Sequence, residues 1–139
     1  MYIDKELLLS GSRSTTAVWT GQTVAATCVS TNTIDLGATK NLSKGKQLYV
    51  VVIIDTAFAT STSVNFQVVT DTTADLATPT VQMETGAIAV GSLTLNRAPI
   101  VIPVGSALGT EERYLGMQYT VAGSSGTGAV IAFVAFDIP

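Results

Sequence analysis

The sequence predicts an all-β chain folded as a single-domain β-sandwich or barrel. Two observations predict it. Apolar residues recur with period two in several short runs, and turn-forming residues interrupt those runs at short intervals. "SVNFQVV" puts Val64, Phe66 and Val68 on one face with Asn65 and Gln67 opposite. "RYLGMQYTV" puts Leu115, Met117, Tyr119 and Val121 on one face and Tyr114, Gly116, Gln118 and Thr120 on the other. Both are the pattern of a strand with one buried face. Helical periodicity is sustained nowhere.

At the N-terminus, "MYIDKELLLS" sets Asp4, Lys5 and Glu6 beside only three leucines. That run is too short for a signal core or a membrane span. It suits a short helix or an extended arm. Ser10–Gly21 reads as an irregular linker holding Trp19, the single tryptophan. Trp19 is either an anchor at the rim of the core or an interface hot spot. The expected organisation is an arm and linker over 1–22 and a sandwich domain over 23–139.

The strands expected are 23–29, 31–36, 47–55, 63–70, 80–84, 92–95, 99–104, 113–121 and 129–137. Cys28, in "TVAATCVS", is expected as an inert core thiol, and a lone cysteine makes no internal disulfide. "QLYVVVIID" and "GAVIAFVAFDI" lack alternation. Each suits a strand covered on both faces, either within the chain or by another subunit. "DTTADLAT" offers one helical turn with Asp71 as its N-cap. "AGSSGTG" reads as the tip of a hairpin joining the last two strands.

Composition narrows the function. Charged residues are 12% of the chain, about half the soluble average of roughly 25%. A polar surface with few ions can be covered by another protein without much desolvation of charge. Net charge is −3 and the seven cations are scattered, which argues against nucleic-acid binding. No run of 18 apolar residues exists to span a membrane as a helix.

Catalytic chemistry finds little to use. The chain has no histidine, which removes the commonest general base and metal ligand. One cysteine cannot build a thiolate zinc site. Asp71 and Asp75 suit a calcium ion or, more plainly, a capped and solvated loop. Glu111 and Glu112 beside Arg113 look like a charged loop before a strand. No catalytic residues, cofactor or metal are expected, and the chain is read as no enzyme.

"MYIDKELLLS", "VSTNTIDLGA", "LYVVVIID", "VNFQVVTDTTADLATP" and "ERYLGMQYTVAG" occur in that order along nearly the whole chain. In these segments it resembles the bacteriophage capsid cement (decoration) protein family, typified by that of a short-tailed Bordetella phage. The resemblance implies a jelly-roll-like sandwich of about eight antiparallel strands on the outer surface of an icosahedral virion head. It implies the major capsid protein and further copies of the chain, as a dimer or trimer, as partners. Synthesis would be in the bacterial host cytoplasm. Within that reading Tyr2 is a candidate anchor and Leu7 and Leu9 supply apolar contact. Asp4, Lys5 and Glu6 set register at the rim. Trp19 is the remaining candidate, outside the segments that carry the resemblance. The alternative for residues 1–9 is cover for the domain's own sandwich. The alternative for the whole is a carbohydrate- or host-surface-binding module on a phage head.

Overall fold

In a computed structural model of the chain, residues 3–39, 42, 45–105 and 112–137 are described here. They form an all-β, jelly-roll-like sandwich of antiparallel sheets. Among the described residues there are twelve strands: β1 Leu8–Ser10, β2 Ser12–Arg13, β3 Trp19–Thr20, β4 Gln22–Thr23, β5 Cys28–Val29, β6 Ile34–Asp35, β7 Leu48–Ala59, β8 Ser63–Asp71, β9 Thr80–Ala89, β10 Ile100–Val104, β11 Tyr114–Ala122 and β12 Thr127–Ala135. One sheet runs β1-β12-β7-β10, with β4 also on β12. The other runs β5-β11-β8-β9, with β6 also on β11. β2 and β3 make a separate small hairpin.

The pairing is nested. β1 and β4 lie on β12, β5 and β6 on β11, β7 on β10, and β8 on β9. A chain folded back on itself and then rolled into two sheets gives this order, the jelly-roll solution to joining distant strands.

The alternating strands behave as patterned. Val64, Phe66 and Val68 of β8 and Leu115, Met117 and Tyr119 of β11 are buried between the sheets. They meet Val50, Val52 and Ile54 of β7 and Val130, Ala132 and Val134 of β12. Phe66 packs edge-on against both Phe58 and Tyr119.

The two unpatterned strands are covered on both faces, and the chain supplies the cover. On the outer side of the first sheet, Val51, Ile131 and Phe133 form a second buried cluster with Leu8. Ile3, Trp19, Ile53 and Ala135 pack around it. The N-terminal segment thus lies across this sheet, and residues 8–10 and 22–23 enter its ladder. The segment expected as arm and linker therefore contributes strands to the sandwich.

Three expected strands differ. The run 23–29 is split because the chain crosses between sheets: Gln22–Thr23 pairs with β12 and Cys28–Val29 with β11. In 31–36 only Ile34 and Asp35 join a ladder, because Ser30 N–H donates to Met117 O and Asn32 N–H to Leu9 O. Residues 92–95 are no strand. Val90–Ser92 is a 3₁₀ turn, and it delivers Leu93 fully buried into the core. In the other direction, β9 runs on to Ala89 past the expected turn at Glu84–Gly86. Its pairing with β8 absorbs irregularities there, and Gly86 takes a left-handed φ of 75°.

Asp71 does not cap a helix. Its carboxylate accepts from the N–H groups of Thr73 and Thr78 and pins the loop that follows β8. Leu76, at φ 51°, is buried by that loop against Gly116. A side chain at Gly116 would strike it. Of the expected turns, part of Ser43–Lys46 and most of Gly105–Glu112 lie outside the described residues, as does Glu111.

Candidate functional site

The N-terminal surface is built from one short turn. Asp4 accepts from Glu6 N–H at 3.0 Å, and its carbonyl accepts from Leu7 N–H at 3.2 Å, closing a 3₁₀ turn over Lys5–Leu7. This fixes Lys5 and Glu6 on the exposed side of the turn. The three leucines then part company. Leu7 packs partly buried against the main core, Leu8 enters the outer cluster, and Leu9 is fully buried in the main core.

Leu9 therefore cannot be the apolar contact with a partner that the sequence suggested. Alternation along β1 turns it inward, where the chain's own core takes it. Asp4 is engaged as a cap and Leu7 is partly covered. Lys5 and Glu6 remain at the surface, and Tyr2 lies outside the described residues. Trp19 sits half-buried at the rim of the core, the first of its two readings. One part of the ring packs on the outer cluster, and the Arg13 guanidinium lies 5.4 Å from its centroid.

An open groove of about 320 Å³ lies beside the turn, lined by Lys5, Glu6, Leu8, Gly11, Ser12, Arg13, Asn32 and Thr33. Its walls are tied together. Asn32 donates its backbone N–H to Leu9 O at 2.9 Å and its side-chain amide to Gly11 O at 3.2 Å. Gly11 sits at φ 100°, and a Cβ there would lie 2.7 Å from Thr20 O. Only glycine fits that combination without strain. Sequence reasoning reached Lys5 and Glu6 but missed Arg13, Asn32 and Thr33. They come from separate segments with no shared motif, so only the fold brings them together.

One patch of the outer face of the second sheet is a polar network around a single carboxylate. Glu84 accepts from the amides of Asn65 and Gln67 at 2.8 and 2.9 Å. These two bonds, from Asn65 and then Gln67, hold its pKa below the ordinary value. Thr120 donates to Gln67 Oε1 at 2.7 Å. The acid sits within a network of amides and hydroxyls.

The remaining titratable groups have structural uses. Arg113 grips Asp35 with two bonds of 2.7 Å and lies over the Tyr114 ring. The Arg113 bonds lead in lowering Asp35 to about 2, helped by Gly37 N–H. For Asp71, burial pushes the carboxyl up, but donors from Thr78, Thr73 and Thr72 outweigh it and the net shift is downward. Asp75 accepts from Thr73 Oγ1 and Ala77 N–H. Both Asp71 oxygens and Asp75 Oδ1 are thus engaged with protein donors, the bonding expected of a capped loop. Among the described residues no three His, Cys, Asp or Glu side chains group as metal ligands. Cys28 is half-buried, packs against the core, and has a pKa raised by burial against a smaller lowering from Gln22.

No curated protein matches the chain. A family model, Bbp16, matches residues 18–134. That match takes in the nested sandwich apart from β1, and two groove residues, Asn32 and Thr33. It begins after the turn and after Lys5 and Arg13. Covering most of the sequence and nearly every strand, it settles the kinship: the chain belongs to the Bbp16 family, a Bordetella phage protein family.

Proposed function

We propose that the protein is a capsid cement protein. In this reading it sits on the outer surface of an icosahedral phage head, across junctions between major capsid protein subunits. It stabilises the shell against the pressure of packaged DNA, and it acts without catalysis. The observation that carries the proposal is membership in a phage protein family together with the collinear resemblance to cement proteins. The surface is compatible. A patch made of Asn65, Gln67 and Thr120 around a single hydrogen-bonded Glu84 can be covered without stripping water from many ions.

The mechanism is additive contact. A protein seated across a seam adds interactions that must break before the seam opens. Binding the assembled shell and not the free subunits stabilises the shell by mass action. As a homo-oligomer, the protein would engage two or three seats together and gain from effective concentration. Each seat should bury at least roughly 1,000 Å².

The test is co-sedimentation of the purified protein with expanded, undecorated capsids of its own phage. Saturable binding at a fixed ratio to the major capsid subunit is the expected result. A folded, monodisperse protein that fails to sediment with those shells overturns the proposal.

A further inference from the structure

We infer that the groove beside the Lys5–Leu7 turn is a docking cleft for an extended, carboxylate-bearing segment of a neighbouring protein chain. The inference deepens the cement reading and rests on it for the setting in which such a chain is met.

Charge is the first argument. The groove holds Lys5 and Arg13 against one carboxylate, Glu6, on a chain whose net charge is −3. Among the described residues, Lys46 is paired with Asp137 and Arg113 with Asp35, while Lys5, Arg13 and Arg97 have no carboxylate partner, Arg97 donating instead to Ser92 O. Two unpaired cations flank one cleft on an otherwise acidic protein. An acidic side chain placed between them gains from both, and Arg13 can meet a carboxylate with two parallel bonds.

Preorganisation is the second. Lys5 stands on a turn capped by Asp4, and Arg13 is held over Trp19. Asn32 is itself tied to Leu9 and Gly11 by two hydrogen bonds. Less ordering is then required when a ligand arrives.

Size and composition choose the occupant. About 320 Å³ is the share of roughly ten waters. A few side chains of an extended segment fit there, whereas a helix 10–12 Å across does not. Leu8 adds an apolar residue to the lining, and Ser12, Asn32 and Thr33 add polar ones. Glu6 sets direction: the carboxylate goes to Lys5 and Arg13, and an N–H donor of the segment faces Glu6.

The test uses the full chain and a defined probe, acetyl-tetraglutamate amide, followed by amide NMR shifts. Saturable shifts at Lys5, Arg13, Asn32 and Thr33 in the millimolar range, weakening as salt rises, are expected. Acetyl-tetraglutamine amide should give none. Lys5→Glu, which leaves the Arg13–Trp19 stack in place, should abolish saturation while the melting temperature holds. Equal shifts with the glutamine peptide, no saturable shift, or full binding by Lys5→Glu would each overturn the inference. So would the same shifts from inorganic phosphate at equal concentration, which would mark a small-anion site. Capsid co-sedimentation separates this inference from the cement reading. Wild type and Lys5→Glu sedimenting equally well would sink the docking cleft alone. Wild type failing to sediment would sink the cement reading, and the peptide titration would still decide the groove.

Discussion

The Ser10 hydroxyl lies 2.6 Å from the Tyr119 hydroxyl, and both side chains are fully buried. Ser10 is on β1 of one sheet and Tyr119 is on β11 of the other, so this hydrogen bond crosses the sandwich. Each group is the other's partner. Burial raises the Tyr119 pKa well above the ordinary phenol value, against a smaller lowering from Ser10. The pair stays neutral across the physiological range.

Removing one partner leaves a buried hydroxyl unpaired. Tyr119→Phe or Ser10→Ala should each destabilise by about 1–3 kcal/mol. The double variant should cost clearly less than the sum, because it removes both polar groups together. Urea denaturation of the four proteins in the cycle checks this. Strict additivity would show that the bond adds no coupling.

Leu8 seals the outer cluster over Val51, Ile131 and Phe133. Leu8→Ala should cost about 2–5 kcal/mol, as large-to-small changes at buried sites do. Deleting residues 1–9 removes Leu8 and Leu9 together and should lower the melting temperature further. A deletion variant that melts like the full chain would show that the segment is an independent arm.

Acid should weaken the fold. Asp35 and Asp71 both have folded pKa values below the unfolded carboxylate value of about 3.9. Each carboxylate binds fewer protons folded than unfolded, so its contribution is complete above about pH 4. The contribution is lost as pH falls through the folded value, which for Asp35 is about 2. Urea midpoints measured from pH 6 to pH 2 should fall mainly below pH 4. Asp71→Asn should be less stable at neutral pH and lose less on acidification, since the amide cannot titrate. An unchanged acid slope would remove Asp71 from the account.

Cys28 should react slowly. Its raised pKa leaves little thiolate near neutral pH, and the residue is only partly exposed. A thiol reagent at pH 7.5 should modify it far more slowly in the folded protein than in urea. Equal rates would mean that the thiol is freely exposed.

The core strands were legible because period-two alternation states directly which face is buried. Val64, Phe66 and Val68, and Leu115, Met117 and Tyr119, all point where that pattern puts them. β7 and β12 were legible as doubly covered strands, but not what covers them, because unbroken apolar runs name no partner. The cover proved to be Leu8, Ile3 and Trp19 from a segment whose own pattern is too short to read. Leu93 was misread as part of a strand because burial at a single turn residue leaves no period. The groove was half legible: charges at 5 and 6 stand out in a charge-poor chain, but nothing local links them to Arg13 or Asn32.

The place of β12, between β1 and β7 in its sheet, sets the order in which the molecule can be finished. The middle of that sheet is supplied by residues 127–135, long after the ribosome has made the strands on either side. Until then the β7 edge that carries Val50 and Val52 lacks its β12 partner. Closure must wait for a strand distant in sequence, the circumstance that slows folding and leaves nascent chains prone to association. A chain stalled or cut before Thr127 should therefore be held by chaperones or degraded, and a finished one should fold as a single late event.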